Sequence, residues 1–316
     1  MAIEIIRPVP KSYQALVRLR HRLPHNHEKL KDIHGKIDRI KAGYCGETRT
    51  DRFIEEVEFP QQVKIIPDFH AKLHSKRFVQ IDTLIITRSY ILILEVKNIV
   101  GTIDFKNYQS QIVRTLNDET TPLGYPFIQL DRNIDGISNI LRKYGLNPPI
   151  HSALVFPSNN VIIENSPKTR NIFFVKQLPL FIQRLNDLPN KLSEESFHDI
   201  CEIFTNINGD FIEKSLCDRF SIDPKELKKG IICSNCGELL QQRTRRTWIC
   251  IACGQADVNP IPRNIEDLFI LIKPEITMND CLHYLQVKSR HTLNNNLVKM
   301  KLPKKGVRRA TVYTIK

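Results

Sequence analysis

No run in the 316-residue sequence approaches the roughly 20 consecutive apolar residues that a membrane-spanning helix needs. The opening residues, MAIEIIRPVPKSYQALVRLR, lack the long apolar stretch and small-residue cleavage site of a secretory signal. The expected address is therefore the cytoplasm, with no membrane partner. No internal repeat and no low-complexity tract interrupts the chain, so repeat arrays and extended disordered segments are set aside. A 41 % apolar fraction is ample for a packed core, and the length suggests about two domains.

Charge is abundant but unevenly placed. Residues 1–40 carry nine Lys/Arg against four Asp/Glu, and residues 241–316 carry fourteen against five. Between them, residues 41–240 carry twenty-four against twenty-five, so the net +13 comes from the two ends. Clustered positive charge gains affinity for polyanions by releasing counterions, which points to nucleic acid as the partner; a solubilising surface is the plainer alternative.

The pattern of apolar residues predicts the elements. Residues 12–42 read as helical with an interruption at Pro24, and Gly43 and Gly46 punctuate the chain before a further helix from Glu47 to about Val57. VKIIPDF, RFVQIDTLIIT and YILILEVKN between 62 and 98 read as strands, and Gly101 to Phe105 as a fourth. Residues 126–144 have helical spacing, and HSALVFPS and NIFFVKQL are short apolar strands. Strands, a helix and more strands indicate a mixed α/β core.

The informative segment runs from Gln80 to Asn98. It reads as a hairpin turning near Arg88-Ser89, in which residues whose numbers add to 177 face each other. Asp82 then opposes Glu95, with Cβ atoms roughly 5 Å apart. Lys97 shares the Glu95 face. Two carboxylates at the end of an otherwise aliphatic hairpin repel unless a cation lies between them. Mg²⁺ (or Mn²⁺) suits such a pair because it binds through one or two carboxylates and keeps positions for water and phosphate. The chemistry that follows is phosphodiester hydrolysis, with Lys97 orienting or deprotonating water or stabilising the pentavalent phosphate. The alternative is a Glu–Lys ladder at a sheet end with an unrelated aspartate. His70, His74 and His151 receive no role.

Of eight cysteines, Cys45, Cys201, Cys217 and Cys281 are scattered and expected to be buried as small apolar residues. The other four form two C-x₂-C knuckles, Cys233/Cys236 and Cys250/Cys253, each followed by glycine and separated by thirteen residues. Four thiolates so spaced can surround one Zn²⁺ tetrahedrally, and each glycine permits the positive φ such turns need. A closed four-thiolate site has no open position, so it serves folding and not catalysis. Residues 277–300 suggest a helix-turn-helix with Ser289 capping the second helix. That helix offers Arg290 and Asn294 to base edges, and Lys301, Lys304, Lys305, Arg308 and Arg309 suit phosphates. A small helical cap with a solvated basic face is the alternative.

GYCGE (43–47), QIDTLII (80–86), ILEVKN (93–98) and PFIQ (126–129) occur in an order and spacing that resemble the nuclease-related domain (NERD) family of the PD-(D/E)XK nuclease superfamily. The C-terminal arrangement also resembles family members that carry a zinc ribbon. The resemblance implies a restriction-endonuclease-like mixed sheet flanked by helices, with Asp82 and Glu95 as metal-binding carboxylates and Lys97 as the catalytic lysine. It also implies a role for Glu47, on the first core helix, and for Gln129, on the helix after the sheet. Gln80 stands where the family also carries a glutamate, which removes a charge. The expected organisation is a basic helical arm (1–40), a nuclease-like domain (41–180), a helical connector (181–229), a zinc ribbon (230–257) and a basic helix-turn-helix-like domain (258–316). The expected function is metal-dependent DNA cleavage. A non-catalytic nucleic-acid-binding protein is the alternative, and RNA is a further possible substrate.

Overall fold

The aliphatic segments form strands because both of their faces find apolar cover. In the computed structural model, which describes residues 3–74, 77–105, 111–209, 215–244, 247–307 and 311–314, the chain divides into two compact units. One comprises residues 1–8 and 41–211, the other 9–40 and 212–316.

Helices α1 (Lys11–Arg22) and α2 (Leu30–Glu55) come first. Leu23 turns extended ahead of Pro24, ending α1 where the proline disfavours helix. The expected break at Gly43 and Gly46 does not occur: α2 runs straight through both. Gly46 serves proximity instead, since a Cβ there would lie 2.6 Å from Cβ of Asn98.

In the first unit, strands β1 (Lys64–His74), β2 (Arg77–Ile86) and β3 (Ile91–Val96) are antiparallel neighbours. A second group follows: β4 (Gly101–Asp104), β5 (Gln111–Leu116) and β6 (Glu119–Gly124). After α3 (Pro126–Arg142) come β7 (Ile150–Phe156), β8 (Val161–Glu164) and β9 (Ile172–Phe174). The main sheet has the order β1-β2-β3-β7-β9, with β3, β7 and β9 parallel. The segment read as a fourth strand, β4, belongs to a separate sheet of order β6-β5-β4-β8.

Every residue of β3 is buried, as expected for a central strand covered on both sides. Ile91 and Ile93 pack with Leu130, Ile137 and Ile140 of α3 and with Phe197, Ile200 and Phe204 of α5 (Glu194–Ile207), after the intervening α4 (Leu178–Asn186). Leu92 and Leu94 pack with Ile54 of α2 and with Leu178 and Ile182 of α4. The stretch expected to connect domains thus supplies α4 and α5 as covering helices.

In the second unit, Arg22 is fully buried at the centre of a polar hub. It pairs with Asp267 at 2.8 Å, donates to the carbonyls of Lys228 and Gly230, and stacks 4.7 Å over Tyr284. After the short α6 (Leu216–Phe220), strands β10 (Leu240–Gln242), β11 (Thr247–Cys250) and β12 (Ala256–Val258) form an antiparallel sheet around the cysteine pairs. Helix α7 (Ile261–Asp267), strand β13 (Glu275–Thr277) and helices α8 (Met278–Leu285) and α9 (Arg290–Lys299) follow. Strands β14 (Lys304–Lys305) and β15 (Val312–Thr314) close a sheet of order β13-β15-β14. Of the scattered cysteines, Cys217 and Cys281 are buried as expected and Cys201 is partly so, but Cys45 is exposed.

Candidate functional site

The β2–β3 hairpin has the register the sequence predicts. Ile86 faces Ile91, Ile85 faces Leu92, Leu84 faces Ile93 and Thr83 faces Leu94. The ladder stops there. One step on, the Asp82 carboxylate accepts the backbone N–H of Val96 at 2.6 Å, so a side chain takes over where backbone pairing ends. The neighbouring strand is kinked at the same level without losing its register: Pro67 pairs with Thr83 and Phe69 with Ile81, while Asp68 between them adopts φ +50°. Asparagine and aspartate tolerate that left-handed conformation better than other side chains with a Cβ.

Glu95 is 1 % exposed. Its Oε1 accepts from Nζ of Lys97 at 2.5 Å, and its Oε2 is buried with no hydrogen-bond partner. Glu47 arrives from α2, which Gly46 allows close to the strand end; Asn98 ties the same stretch by donating to the Ala42 carbonyl at 2.7 Å. Gln129 on α3 and Gln80 on β2 line a cavity of about 670 Å³ whose wall includes Lys97.

Three members of this cluster, Arg7, Asp51 and Asp68, are not among the residues expected from the sequence. Arg7, buried, donates to both oxygens of Asp51 at 2.7 and 2.8 Å, to Glu47 at 2.9 Å, to the Asp82 carbonyl at 2.9 Å and to Thr83 Oγ1 at 2.7 Å. It fixes Glu47 and the backbone of Asp82 at once. Asp68 is the third; its carboxylate pairs with His70 at 2.9 Å. An aspartate after proline inside an apolar strand was a readable signal for Asp68. Arg7 lies 44 residues from Asp51, and no local pattern marks such a pairing.

The charges are strained. Burial, then repulsion from Asp82, pushes Glu95 up to about 7. Glu47 is likewise raised to about 7 by burial and Asp82, against the pull of Arg7. Burial raises Asp82 as well, with the Val96 N–H, Lys97 and Arg7 opposing it. Burial also works against the Lys97 ammonium, but Glu95, Asp82 and Glu47 outweigh it and hold its pKa above the ordinary lysine value. The hydrogen bond from His70 keeps Asp68 low. Three carboxyl groups still resist ionisation beside Lys97 and Arg7, which leaves an electrostatic deficit that a further cation can fill.

In the second unit the four cysteine sulfurs lie within 4.8 Å of one another. Cys233 and Cys253 are 3.8 Å apart at sulfur, and Cys236 and Cys250 3.4 Å. Zn–S bonds of ~2.3 Å at a tetrahedral ion put sulfurs about 3.8 Å apart, so the cluster has the dimensions of a zinc site. The two knuckles are built alike. Gly237 and Gly254, at φ +77° and +73°, donate to the carbonyls of Cys233 and Cys250. The N–H groups of Cys233 and Cys250 donate to Glu238 and Gln255. The thiol of Cys253 is drawn down to about 6, chiefly by the backbone N–H of Gln255.

Ser289 caps α9 by accepting from the Thr292 N–H at 3.2 Å, and Leu293 and Leu297 are buried while Arg290, Asn294, Lys301, Lys304 and Lys305 are exposed. Arg308 and Arg309 lie outside the described residues.

The first unit is thus a mixed sheet flanked by helices, with acidic groups and a lysine converging at the end of the β2–β3 hairpin. Residues 42–157 match the family described as the nuclease-related domain, NERD, and Glu47, Asp82, Glu95, Lys97 and Gln129 all fall within that span. No curated protein and no solved structure matches the chain. Among the described residues, no helix is long and apolar enough to cross a membrane.

Proposed function

We propose that this protein is a divalent-metal-dependent nuclease that hydrolyses phosphodiester bonds of DNA, a PD-(D/E)XK-type enzyme acting in DNA processing in the cytoplasm. The observation that carries the reading is Glu95: a buried carboxylate with one oxygen held by Lys97 and the other without a partner, beside a second carboxylate, Asp82. Such an orphaned buried oxygen is costly unless a cation or donor satisfies it. Asp82 and Glu95 would hold Mg²⁺ or Mn²⁺, hard cations that bind carboxylate oxygen and retain water. When bound, the ion supplies charge toward the phosphate and acidity toward water.

The protein's own groups divide the remaining work. Lys97, whose pKa the carboxylates of the metal-free site hold above the ordinary lysine value, supplies positive charge against the negative charge developing on phosphate. Glu47, steadied by Arg7, accepts a proton from the attacking water or braces it; near 7, its pKa suits a group exchanging protons at neutral pH. Gln129 orients a phosphate oxygen from α3. Water adds to phosphorus, one P–O ester bond breaks, and the proton ends on the leaving oxygen.

Cys233, Cys236, Cys250 and Cys253 would hold one structural Zn²⁺. Helix α9 with Lys301, Lys304 and Lys305, joined by Arg308 and Arg309, would hold DNA through phosphate contacts, with Arg290 and Asn294 toward base edges. The full chain is incubated with end-labelled DNA and Mg²⁺ beside Asp82→Asn and Lys97→Met. Cleavage by the wild type, lost in both variants, supports the proposal. Salt-sensitive binding without cleavage by any of the three overturns it in favour of a nucleic-acid-binding role.

A further inference from the structure

The cavity beside Lys97 has walls that the hydrolytic site does not need. Phe78, Ile99, Tyr125 and Ile128 give it an apolar lining, and its volume of about 670 Å³ lies in the range of pockets that enclose small ligands. Ile128 is 44 % exposed, an apolar side chain left at the rim on the otherwise amphipathic α3. Tyr125 is held in place by edge-on packing against Phe105 and Phe127, with ring centroids 6.3 and 5.5 Å away. A ring so braced is a preformed platform.

The polar part of the lining is cationic or amide. Lys97 and Arg132 supply positive charge, Gln80 and Gln129 supply amide groups, and no carboxylate is among the described residues that line it. Asn133 is spent on the backbone, donating to the Gln80 carbonyl at 2.7 Å, which fixes α3 against β2 at this wall. An occupant must therefore offer flat apolar faces, hydrogen-bonding edges and negative charge together. A nucleotide has all three, but a base inside a duplex has both faces covered by its neighbours and cannot enter.

We propose that this cavity is a subsite for an unpaired nucleobase next to the scissile phosphate, so that the strand entering the site is single-stranded there. The inference deepens the nuclease reading and rests on it for the position of the phosphate. Tyr125 and Phe78 stack on the base, Gln80 meets its edge and Arg132 takes a flanking phosphate, while Gln129 and Lys97 stay with the scissile phosphate.

The test is made on the full zinc-loaded chain with Mg²⁺ and Mn²⁺ left out, so that it reads binding and not turnover. The probe is a single-stranded hexanucleotide carrying 2-aminopurine, whose fluorescence falls when the base stacks. Saturable quenching is expected with the wild type and with Tyr125→Phe. Quenching is expected to disappear in Tyr125→Ala and to require about tenfold more protein in Arg132→Gln, a change confined to an exposed side chain. The same base placed inside a duplex is expected to show no added quenching. Equal quenching in all variants, no quenching at all, or occupancy by the paired base overturns the subsite. DNA cleavage in Mg²⁺ without base quenching sinks the subsite alone. Quenching that follows this pattern in a protein that does not cleave leaves the subsite standing and removes the nuclease.

Discussion

Replacing Arg7 with alanine removes the cation that holds the acidic cluster together. Its guanidinium donates five hydrogen bonds, two of them to Asp51, which is itself 3 % exposed. Taking away one partner of a buried pair leaves an uncompensated charge, a change that costs roughly 3–5 kcal/mol. A domain of this size has about 5–15 kcal/mol in total, so a large share of the first unit's stability is at stake. Trp248, the one tryptophan, lies in the second unit and reports on that unit, so fluorescence is the wrong probe. Hydrogen exchange of the β3 amides is the right one, because β3 is buried on both faces and opens only when the unit does. Protection there is expected to fall by about two to three and a half orders of magnitude, at ~1.4 kcal/mol per tenfold. Arg7→Lys keeps the charge but loses the two-pronged contact with Asp51, and should lie between. If β3 protection in Arg7→Ala stays within about fivefold of wild type, the cluster does not depend on Arg7 and the reasoning is wrong.

The raised carboxyls predict a pH dependence. Below about 4.5 Glu47 and Glu95 are protonated whether the chain is folded or not. Between there and their folded values near 7 the unfolded chain releases protons first, so the metal-free protein loses stability as pH rises through that window and is flat above it. Binding of Mg²⁺ or Mn²⁺ at pH 6 should then release protons, and at pH 8 almost none; calorimetric titration in two buffers of different protonation enthalpy measures this, and equal proton release at both values contradicts it. A strong chelator, or Cys250→Ser, should unfold the ribbon and shift Trp248 emission to the red, since structural zinc contributes on the order of 10 kcal/mol to such small modules. Gly46→Ala should destabilise by about 1–3 kcal/mol through its clash with Asn98, whereas Gly43→Ala, with only Glu47 Oε1 at 3.7 Å, should stabilise by about 0.5–1 kcal/mol. Thermal denaturation of the pair compares the two signs directly.

The hairpin register and the cysteine knuckles were legible because both are local. An aliphatic run of fixed parity around a two-residue turn allows one alignment that buries everything, and two C-x₂-C-Gly segments have one efficient way to gather four sulfurs. Glu47 and Gln129 became visible only through family resemblance, and the glycines before Glu47 were read as breakers when the helix continues through them. Gly46 is chosen for what lies across from it, Asn98, and a contact between residues so far apart in sequence leaves no trace in either neighbourhood. The same holds for Arg7, whose partners sit on α2 and β2. The three-residue spacing of Ile81 and Leu84, and of Ile66 and Phe69, on one core face shows both strands slipping out of alternation together at Asp82 and Asp68, an irregularity that simple alternation does not contain.

Asp82 does with its side chain what the backbone does elsewhere along the hairpin. In the proposed site, chemistry and architecture would therefore draw on the same carboxylate. A cation held there as proposed, if it competes with the Val96 amide for that oxygen, would loosen the mouth of the hairpin, and by reciprocity prying the strands apart there would weaken the grip on the cation.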